Sequence, residues 1–152
     1  MDGKRKKIAL VSSHGGHLTE ILALREVFDG HDTFFITYEG TSSANLFPAH
    51  RIKKFHNHPV RLFTVWAEVF GILWKERPDI IFSTGAEIAI PVFYIAKLFF
   101  RCRLIYLECS AQVSTPSLTG RIVYPITDLF LVQWEPLLAK YGPRALYKGG
   151  LI

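Results

Sequence analysis

Two histidines bracket a pair of glycines in the run SSHGGH at positions 12–17, directly after the apolar stretch at positions 8–11. A strand that ends in glycines and then opens a helix can bring backbone N–H groups close to a phosphate. The run matches neither the dinucleotide-binding fingerprint nor the P-loop, so a purely structural tight turn is the alternative. Four residues of this loop are predicted to contact phosphate: Ser13, His14, Gly15 and Gly16. We predict that His17 is the catalytic base, because histidine titrates near neutral pH.

The same histidines suggest a second chemistry, the binding of a metal ion. His14, His17 and Glu20 carry possible ligand atoms within one short stretch, which would suit a stand-alone metal-dependent hydrolase. Their spacing is not the His-Glu-x-x-His arrangement, and no further ligand is obvious. We therefore expect no metal and no other cofactor, and the hydrolase stays as an alternative.

Further polar residues follow two other apolar runs. Thr84 and Gly85 come after one run, and Glu108 comes after another. In an open parallel sheet the carboxyl ends of the strands meet at one edge, where ligands bind. Pro91 suits the first turn of a helix, so the turn at Thr84 and Gly85 should present free N–H groups to an anion. We predict that Thr84, Gly85 and Glu108 complete the acceptor or phosphate site, and for Glu108 a local hydrogen-bond anchor is equally open.

These motifs need elements to position them, and apolar runs alternate with helical patterns along the chain. Such alternation is typical of an α/β domain with a parallel sheet. Strands are predicted at 7–13, 33–38, 51–55, 79–83, 103–107 and 129–134. Helices are predicted at 17–28, 61–76, 86–100 and 135–141. The sequence therefore predicts a single Rossmann-like, doubly wound parallel sheet.

The predicted helix at 61–76 has an uncommon polarity pattern. Its polar residues recur at helical spacing and form one narrow stripe: Arg61, Thr64, Glu68 and Lys75. Nearly every other position is apolar, including Trp66 and Trp74. Two interpretations stay open, which are packing in the core on most sides, and contact with lipid or a partner.

The composition limits the class of protein. A length of 152 residues with 49% hydrophobic and 20% charged residues predicts one folded domain over 1–152 and excludes a disordered chain. The net charge of +5 favours phosphorylated ligands, anionic lipid or nucleic acid without choosing among them. Two cysteines form no disulfide framework or zinc pattern, which indicates reduced thiols. No segment reaches the roughly 18 uncharged apolar residues of a spanning helix.

The order of these motifs resembles a known enzyme class. The Gly-Gly-His loop, Thr84-Gly85 ahead of Pro91, and a strand ending in Glu108 resemble the N-terminal, acceptor-binding half of GT-B glycosyltransferases. The peptidoglycan enzyme that adds N-acetylglucosamine to lipid I belongs to that class. The run at 12–24 and the ending YKGGLI resemble a split family more closely. That family comprises the membrane-recruiting subunit of the two-part UDP-N-acetylglucosamine transferase of asparagine-linked glycan assembly, with its bacterial capsule and exopolysaccharide relatives.

The resemblance covers essentially the whole chain and implies a function. The chain would be the acceptor-binding, membrane-associating subunit of a two-component UDP-sugar glycosyltransferase acting on polyprenyl-pyrophosphate-linked saccharides. A separate small catalytic subunit would bind the donor, and no nucleic acid would be bound. The resemblance places Gly15, Gly16 and His17 in the acceptor-side loop, and Thr84, Gly85 and Glu108 in loops that face the cleft. A non-catalytic membrane scaffold for the catalytic subunit is the main alternative.

The resemblance also bears on location. Eukaryotic members carry an N-terminal membrane-spanning anchor, which this sequence does not show, so a bacterial-type member held peripherally at the cytoplasmic face is expected. The apolar faces of the helices at 61–76 and 86–100 would insert into the bilayer surface. The nearby cations Lys97, Arg101 and Arg103 would attract anionic lipid.

Overall fold

The first strand shows why this chain folds into layers, because its apolar residues alternate between two faces. Ile8 and Leu10 pack into one apolar cluster, whereas Ala9 and Val11 pack into a larger one. A strand buried on both faces belongs in the middle of a sheet that has helices on each side. The computed structural model of the protein describes residues 4–53 and 59–151, and it has this arrangement.

Seven parallel strands form one sheet. Their bounds are β1 Lys7–Val11, β2 Asp32–Tyr38, β3 Ala49–Ile52, β4 Ile80–Ser83, β5 Arg103–Leu107, β6 Leu129–Val132 and β7 Ala145–Tyr147. Their order across the sheet is β3-β2-β1-β4-β5-β6-β7. The chain therefore moves outward from β1 to β3 and then returns to the other side of β1 for β4. This order confirms the predicted doubly wound parallel sheet.

Five α-helices and four short 3₁₀ helices connect the strands of the described ranges. The α-helices are α1 Gly16–Ala23, α2 Pro59–Glu76, α3 Ala89–Phe99, α4 Leu118–Val123 and α5 Leu138–Tyr141. The 3₁₀ helices are Arg25–Phe28, Thr41–Ser43, Tyr124–Ile126 and Glu135–Leu137. Helices α2, α3 and α4 cover the face with the larger apolar cluster, and α1 lies on the other face.

Several predicted boundaries differ from the structure, including the end of the first strand, which lies at Val11, and two near the amino end have a visible cause. The helix predicted at 17–28 tightens into a 3₁₀ helix after Ala23, where the N–H of Leu24 is shared between two carbonyls of the preceding turn. The strand predicted at 51–55 begins earlier, because the N–H of Phe35 in β2 already pairs with the carbonyl of Pro48 at 2.9 Å. Positions 54 and 55 of that predicted strand lie outside the described residues.

The prediction omits α4 and β7. Helix α4 follows a stretch rich in Ser, Thr and Pro, and Ser117 caps it by accepting the N–H of Gly120 at 2.8 Å. Strand β7 has three residues, which is too short for an alternating pattern to stand out. Helix α4 follows the loop after β5, and β7 follows α5.

Helix α2 shows three faces rather than one. Its buried face packs on the sheet through Val65, Val69, Ile72 and Leu73. The described members of the predicted polar stripe, Thr64, Glu68 and Lys75, are exposed. A third, apolar face is also exposed, and we call it the α2 stripe: Phe63, Ala67, Gly71 and Trp74. The helix therefore packs in the core and still leaves an apolar surface free.

Helix α3 differs from the expectation of an apolar face available to lipid. Most of its length is buried against the sheet and its neighbouring helices, and only its last turn, from Lys97 to Phe99, is exposed. Within the described residues, no helix combines the length and the apolar character that crossing a bilayer requires.

Candidate functional site

The candidate site lies where the strand order reverses, between β1 and β4. In parallel sheets this is the point where neighbouring loops leave on opposite sides and open a crevice. The glycine loop follows β1, the turn at 84–88 follows β4, and a loop at 108–117 follows β5. All three lie at the carboxyl edge of the sheet, as the sequence predicts.

The glycine loop leaves the first turn of α1 open. Gly15 takes a φ of 78°, which favours glycine, and α1 begins at the next residue without a side-chain cap. A Cβ on Gly15 or Gly16 would meet nothing within 4 Å, so the space in front of the turn is free. Beside it, the hydroxyl of Ser13 donates to the carbonyl of His14 at 3.2 Å. Phosphate binding at this loop stays a prediction, which the geometry allows.

The two histidines turn toward different neighbours of β1. His14 Nε2 bonds the carbonyl of Glu39 beyond β2 at 3.1 Å, while His17 Nδ1 bonds the carbonyl of Thr84 beyond β4 at 2.9 Å. A carbonyl oxygen only accepts, so each of these nitrogens carries a proton. In neutral His17 the lone pair therefore lies on Nε2, the atom that a general base uses. The hydroxyl of Thr84 also donates to the carbonyl of His17 at 2.7 Å, which ties α1 to the β4 turn twice.

Gly85 supports the His17 ring, and a larger residue does not fit. Its φ is 123°, and a Cβ there would lie 2.8 Å from His17 Cε1. The N–H of Gly85 is already donated to the hydroxyl of Ser83 at 3.1 Å. The prediction of a free N–H group at Gly85, in a helix that starts at position 86, is therefore wrong. Gly85 and Ala86 both take positive φ values, which delays the helix to Ala89.

Glu108 is fully buried, and its carboxylate holds the loop that follows β5. One oxygen accepts the N–H of Cys109 at 3.1 Å, and the other accepts the N–H and hydroxyl of Ser117 at 3.2 and 3.1 Å. The hydroxyl of Tyr141 donates to the same second oxygen. A Cβ on Gly120 would collide with this carboxylate, so the start of α4 packs closely against it. These contacts match the hydrogen-bond anchor, and direct contact of Glu108 with a ligand stays a prediction.

A cavity of about 440 Å³ opens between α1 and the 108–117 loop. Its lining includes His17, Glu87, Cys109, Gln112, Ser117 and Thr119. Of the predicted site residues, His17 belongs to this lining, whereas Thr84, Gly85 and Glu108 are buried behind it. The structure thus brings the predicted base to the wall of the cavity and places its supports beneath.

Glu20 brings a second buried carboxylate to this corner. It lies one helical turn after His17 and is 4% exposed. Possible ligand atoms of His17, Glu20 and Cys109 lie within 4.8 Å of one another. His14 faces β2 instead, so the structure does not bring together the two histidines that the metal hypothesis required. Burial raises the pKa of the Cys109 thiol, which keeps it protonated near neutral pH.

Three residues that shape the site carry little signal in the sequence. Glu20 stands among apolar residues of α1, and Gln133 directly follows the apolar run of β6. Gly120 reads as a helix breaker, although its missing side chain makes room for Glu108. The available signal for Glu20 and Gln133 is that a lone polar residue in an apolar run needs a buried partner.

Comparisons with known proteins agree on family and fold. A family model described as "Oligosaccharide biosynthesis protein Alg14 like" matches residues 54–151. The UDP-N-acetylglucosamine transferase subunit ALG14 of Candida albicans is 38% identical over 96 residues, which cover 59% of this chain and 43% of that protein. The human protein of the same name is 26% identical over an alignment of 180 positions, covering 95% of this chain and 82% of that protein.

Solved structures show the same fold. MurG of Acinetobacter baumannii superposes with a TM-score of 0.75 at 14% identity, covering 95% of this chain and 45% of that chain. A UDP-N-acetylglucosamine 2-epimerase of Rickettsia bellii gives a TM-score of 0.74 at 14% identity, covering 97% and 46%. The chain therefore spans less than half of each of these proteins. The predicted equivalence to one half of a GT-B glycosyltransferase fold is confirmed.

Proposed function

Because this chain belongs to the Alg14-like family of oligosaccharide biosynthesis proteins, we propose that it is the acceptor-binding subunit of a two-component UDP-sugar glycosyltransferase. Its acceptor is a polyprenyl-pyrophosphate-linked saccharide, used to assemble an oligosaccharide or a capsular or extracellular polysaccharide. A separate small subunit binds the donor. The names of the relatives, which are subunits of a UDP-N-acetylglucosamine transferase, support this division of labour.

The observation that carries the proposal is the His17 imidazole beside the uncapped first turn of α1. The bond from Nδ1 to the Thr84 carbonyl fixes the ring, and Nε2 is left as an acceptor at the cavity wall. The first turn of α1 offers N–H groups and a favourable dipole to a pyrophosphate. An anion-binding turn next to a base suits an acceptor that carries both a pyrophosphate and a reacting sugar hydroxyl.

His17 acts in this proposal as the general base of sugar transfer. Its Nε2 takes the proton of the acceptor hydroxyl while the hydroxyl oxygen bonds to the anomeric carbon of the donor sugar. The bond from that carbon to the UDP oxygen breaks, UDP leaves with the bonding electrons, and the anomeric configuration inverts. Holding the acceptor by its pyrophosphate places the hydroxyl for this attack.

The α2 stripe supports peripheral association with the cytoplasmic face of a membrane. Phe63 is 80% exposed and Trp74 is 59% exposed, at opposite ends of the stripe. The exposed residues Leu98 and Phe99 at the end of α3 extend this surface. The rings of Phe99 and Trp74 both pack against the Phe70 ring, with centroids 5.5 and 6.0 Å from its centroid. Exposed aromatic side chains along a helix suit the interfacial region of a bilayer.

Cations border this membrane surface. The guanidinium of Arg77 lies over the Trp74 ring at 4.0 Å, and Lys75 and Arg101 are exposed nearby. Lys97 is paired with Asp128 at 2.8 Å, so its charge is partly neutralised. Among the residues that the structure describes, no carboxylate forms an ion pair with Lys75, Arg77 or Arg101, and such cations next to an apolar patch favour anionic lipid.

Reconstitution of sugar transfer tests the two-component proposal. The chain is co-expressed with a small protein that has the pattern of a GT-B C-terminal half and is encoded beside it. The pair is then supplied with labelled UDP-sugars and membrane lipid. We expect label in the lipid fraction only when both proteins are present. Turnover of a UDP-sugar by this chain alone at a typical enzyme rate contradicts the proposal.

A His17→Gln variant separates a base from a scaffold. Glutamine can still donate to the Thr84 carbonyl but takes no proton, so transfer should fall about 10²- to 10⁴-fold while the partner still binds. His31→Gln is the matched control, since His31 lies at the far edge and contacts the N–H of Lys6. Unchanged transfer in His17→Gln favours the non-catalytic scaffold.

A further inference from the structure

Gln133, just after β6, uses both ends of its side-chain amide inside the protein. Its Oε1 accepts the N–H of Leu151 at 3.0 Å. Its Nε2 donates to Glu20 Oε1 at 3.2 Å and to the carbonyl of Glu108 at 3.0 Å. The side chain is 2% exposed, so water cannot readily replace these partners.

The same carboxylate of Glu20 reaches the loop that lines the cavity. Its Oε1 accepts the N–H of Ser110 at 2.7 Å, and the indole of Trp134 donates to the carbonyl of Ser110 at 2.7 Å. Ser110 is therefore held at both ends, by α1 and by the residue that follows Gln133. Because α1 also carries His17, these bonds set the spacing between the base and the opposite wall of the cavity.

We infer that Glu20 and Gln133 are positioning residues, which make the order of the 108–117 loop depend on the placement of the segment at 148–151. This inference rests on the proposed function for its role in acceptor binding, but not for the coupling itself. The link runs from the Leu151 N–H through the Gln133 amide to Glu20 and then to Ser110. A buried amide of this kind is stable only while each of its groups is paired.

Two variants at position 151 isolate the link. Leu151→Pro removes the N–H that Gln133 accepts, whereas Leu151→Ala keeps it and serves as the control. Leu151 is 36% exposed and lines an apolar cavity, and both variants shorten its side chain, so the control matches the loss of apolar contacts. Gln133→Leu removes the amide itself, and thermal melts check that this variant folds.

Alkylation of Cys109 reads out the order of the loop. Cys109 precedes Ser110 and is half-buried, and Cys102 is an internal reference because it lies before β5, at the opposite edge. Losing the bond to Leu151 should raise the alkylation rate of Cys109 about tenfold in Leu151→Pro. Gln133→Leu loses all three bonds of the amide and should raise that rate at least as much, with Cys102 unchanged in both variants. In the double variant, Leu151→Pro should add nothing to Gln133→Leu, because both act through one link.

Several outcomes overturn the inference. Equal Cys109 rates in Leu151→Pro and Leu151→Ala would show that the N–H is not part of any link. Additive effects in the double variant would show that the two residues act separately.

Sugar transfer gives the second readout. With the donor subunit present, Leu151→Pro should raise the KM for the acceptor several-fold and leave kcat nearly unchanged, since the cavity wall moves while His17 Nε2 stays available. If Cys109 responds as expected but no UDP-sugar is transferred, the proposed function fails and the coupling stands. If Cys109 does not respond, the coupling is wrong whatever the transfer assay gives.

Discussion

The two edges of the sheet differ in how deeply their carboxylates are buried and in whether those carboxylates form ion pairs. At the carboxyl edge, Glu20 and Glu108 are buried and accept hydrogen bonds from backbone N–H groups and neutral side chains. At the amino edge, Glu76 pairs with Lys7 at 2.6 Å and with His50 at 2.8 Å, and Asp128 pairs with Lys97 at 2.8 Å, all partly exposed to water.

This difference in burial distinguishes carboxylates that fix the conformation of a loop from carboxylates that only join two elements at the surface. A buried carboxylate that collects several backbone donors fixes a loop, because breaking one bond leaves a polar group unpaired. An exposed ion pair contributes little and weakens with salt. The carboxylates of the carboxyl edge are therefore expected to contribute more to stability than the exposed ion pairs of the amino edge.

Replacing Glu108 should lower the stability of the protein more than any other substitution at either edge. Glu108→Ala leaves the Ser117 and Cys109 donors and the Tyr141 hydroxyl without their acceptor, which should lower the free energy of unfolding by about 3 kcal/mol or more. Urea unfolding followed by circular dichroism measures this loss. Glu135→Ala is the control, an exposed carboxylate that should change stability by less than about 0.5 kcal/mol. Similar losses in both variants would contradict the anchoring role.

The proposed membrane-contact surface should respond next, and at both ends of α2. The test uses two variants, Phe63→Ser and Trp74→Ser. Phe63 lies toward the carboxyl edge and Trp74 lies toward the amino edge, and both side chains are exposed. Each should weaken binding to anionic vesicles about fivefold, or about 1 kcal/mol, if α2 lies flat on the bilayer. Co-sedimentation with vesicles measures this. Val27→Ser, equally exposed but on the opposite face of the sheet, should have no effect. A loss confined to Trp74→Ser would show that only the amino edge meets the lipid.

The smallest effect is expected at Glu76. The Lys7 ammonium, followed by the His50 contact, holds the pKa of the Glu76 carboxyl below its ordinary value against the opposing effect of burial. A lowered pKa in the folded state adds stability above the ordinary carboxyl pKa, and this is lost as pH falls through the lowered value. Glu76→Gln should cost less than about 1 kcal/mol near pH 7 and nothing in acid. A loss that stays constant down to acid pH would show that the ion pair is not its source.

The order of the elements could be predicted because each one carries its own periodicity. Residues 103–107 were predicted as a strand and form β5 with the same bounds, because a short apolar run between charged residues is typical of a buried strand. Helix α3 was placed three residues too early, because Gly85 and Ala86 take positive φ values, and the His17 ring leaves no room for a side chain at position 85. Local patterns do not contain a contact made across 68 positions of sequence.

The position of the candidate site could be predicted, but not which of its side chains face the cavity and which are buried behind it. The sequence places His17, Thr84 and Glu108 at one edge, which parallel strand topology alone guarantees. Glu108 faces the protein because Ser117 and Tyr141, which come later in the chain, donate to its carboxylate. His17 faces the cavity because the Thr84 carbonyl holds its ring. Gln133 escapes prediction for the same reason, because its three partners come from three separate parts of the chain.

The bond from Tyr141 to Glu108 has a consequence for ultraviolet absorbance. The rings of Tyr141 and Tyr106 pack against the ring of Phe130, with centroid-to-centroid distances of 4.5 and 5.0 Å. Burial first, and then the Glu108 carboxylate, raise the pKa of both phenols above the ordinary value. Exposed phenols lose their protons near pH 10, and we expect these two to lose theirs at higher pH. The tyrosinate absorbance of the folded protein should therefore rise in two stages as pH increases, with these two phenols in the later stage.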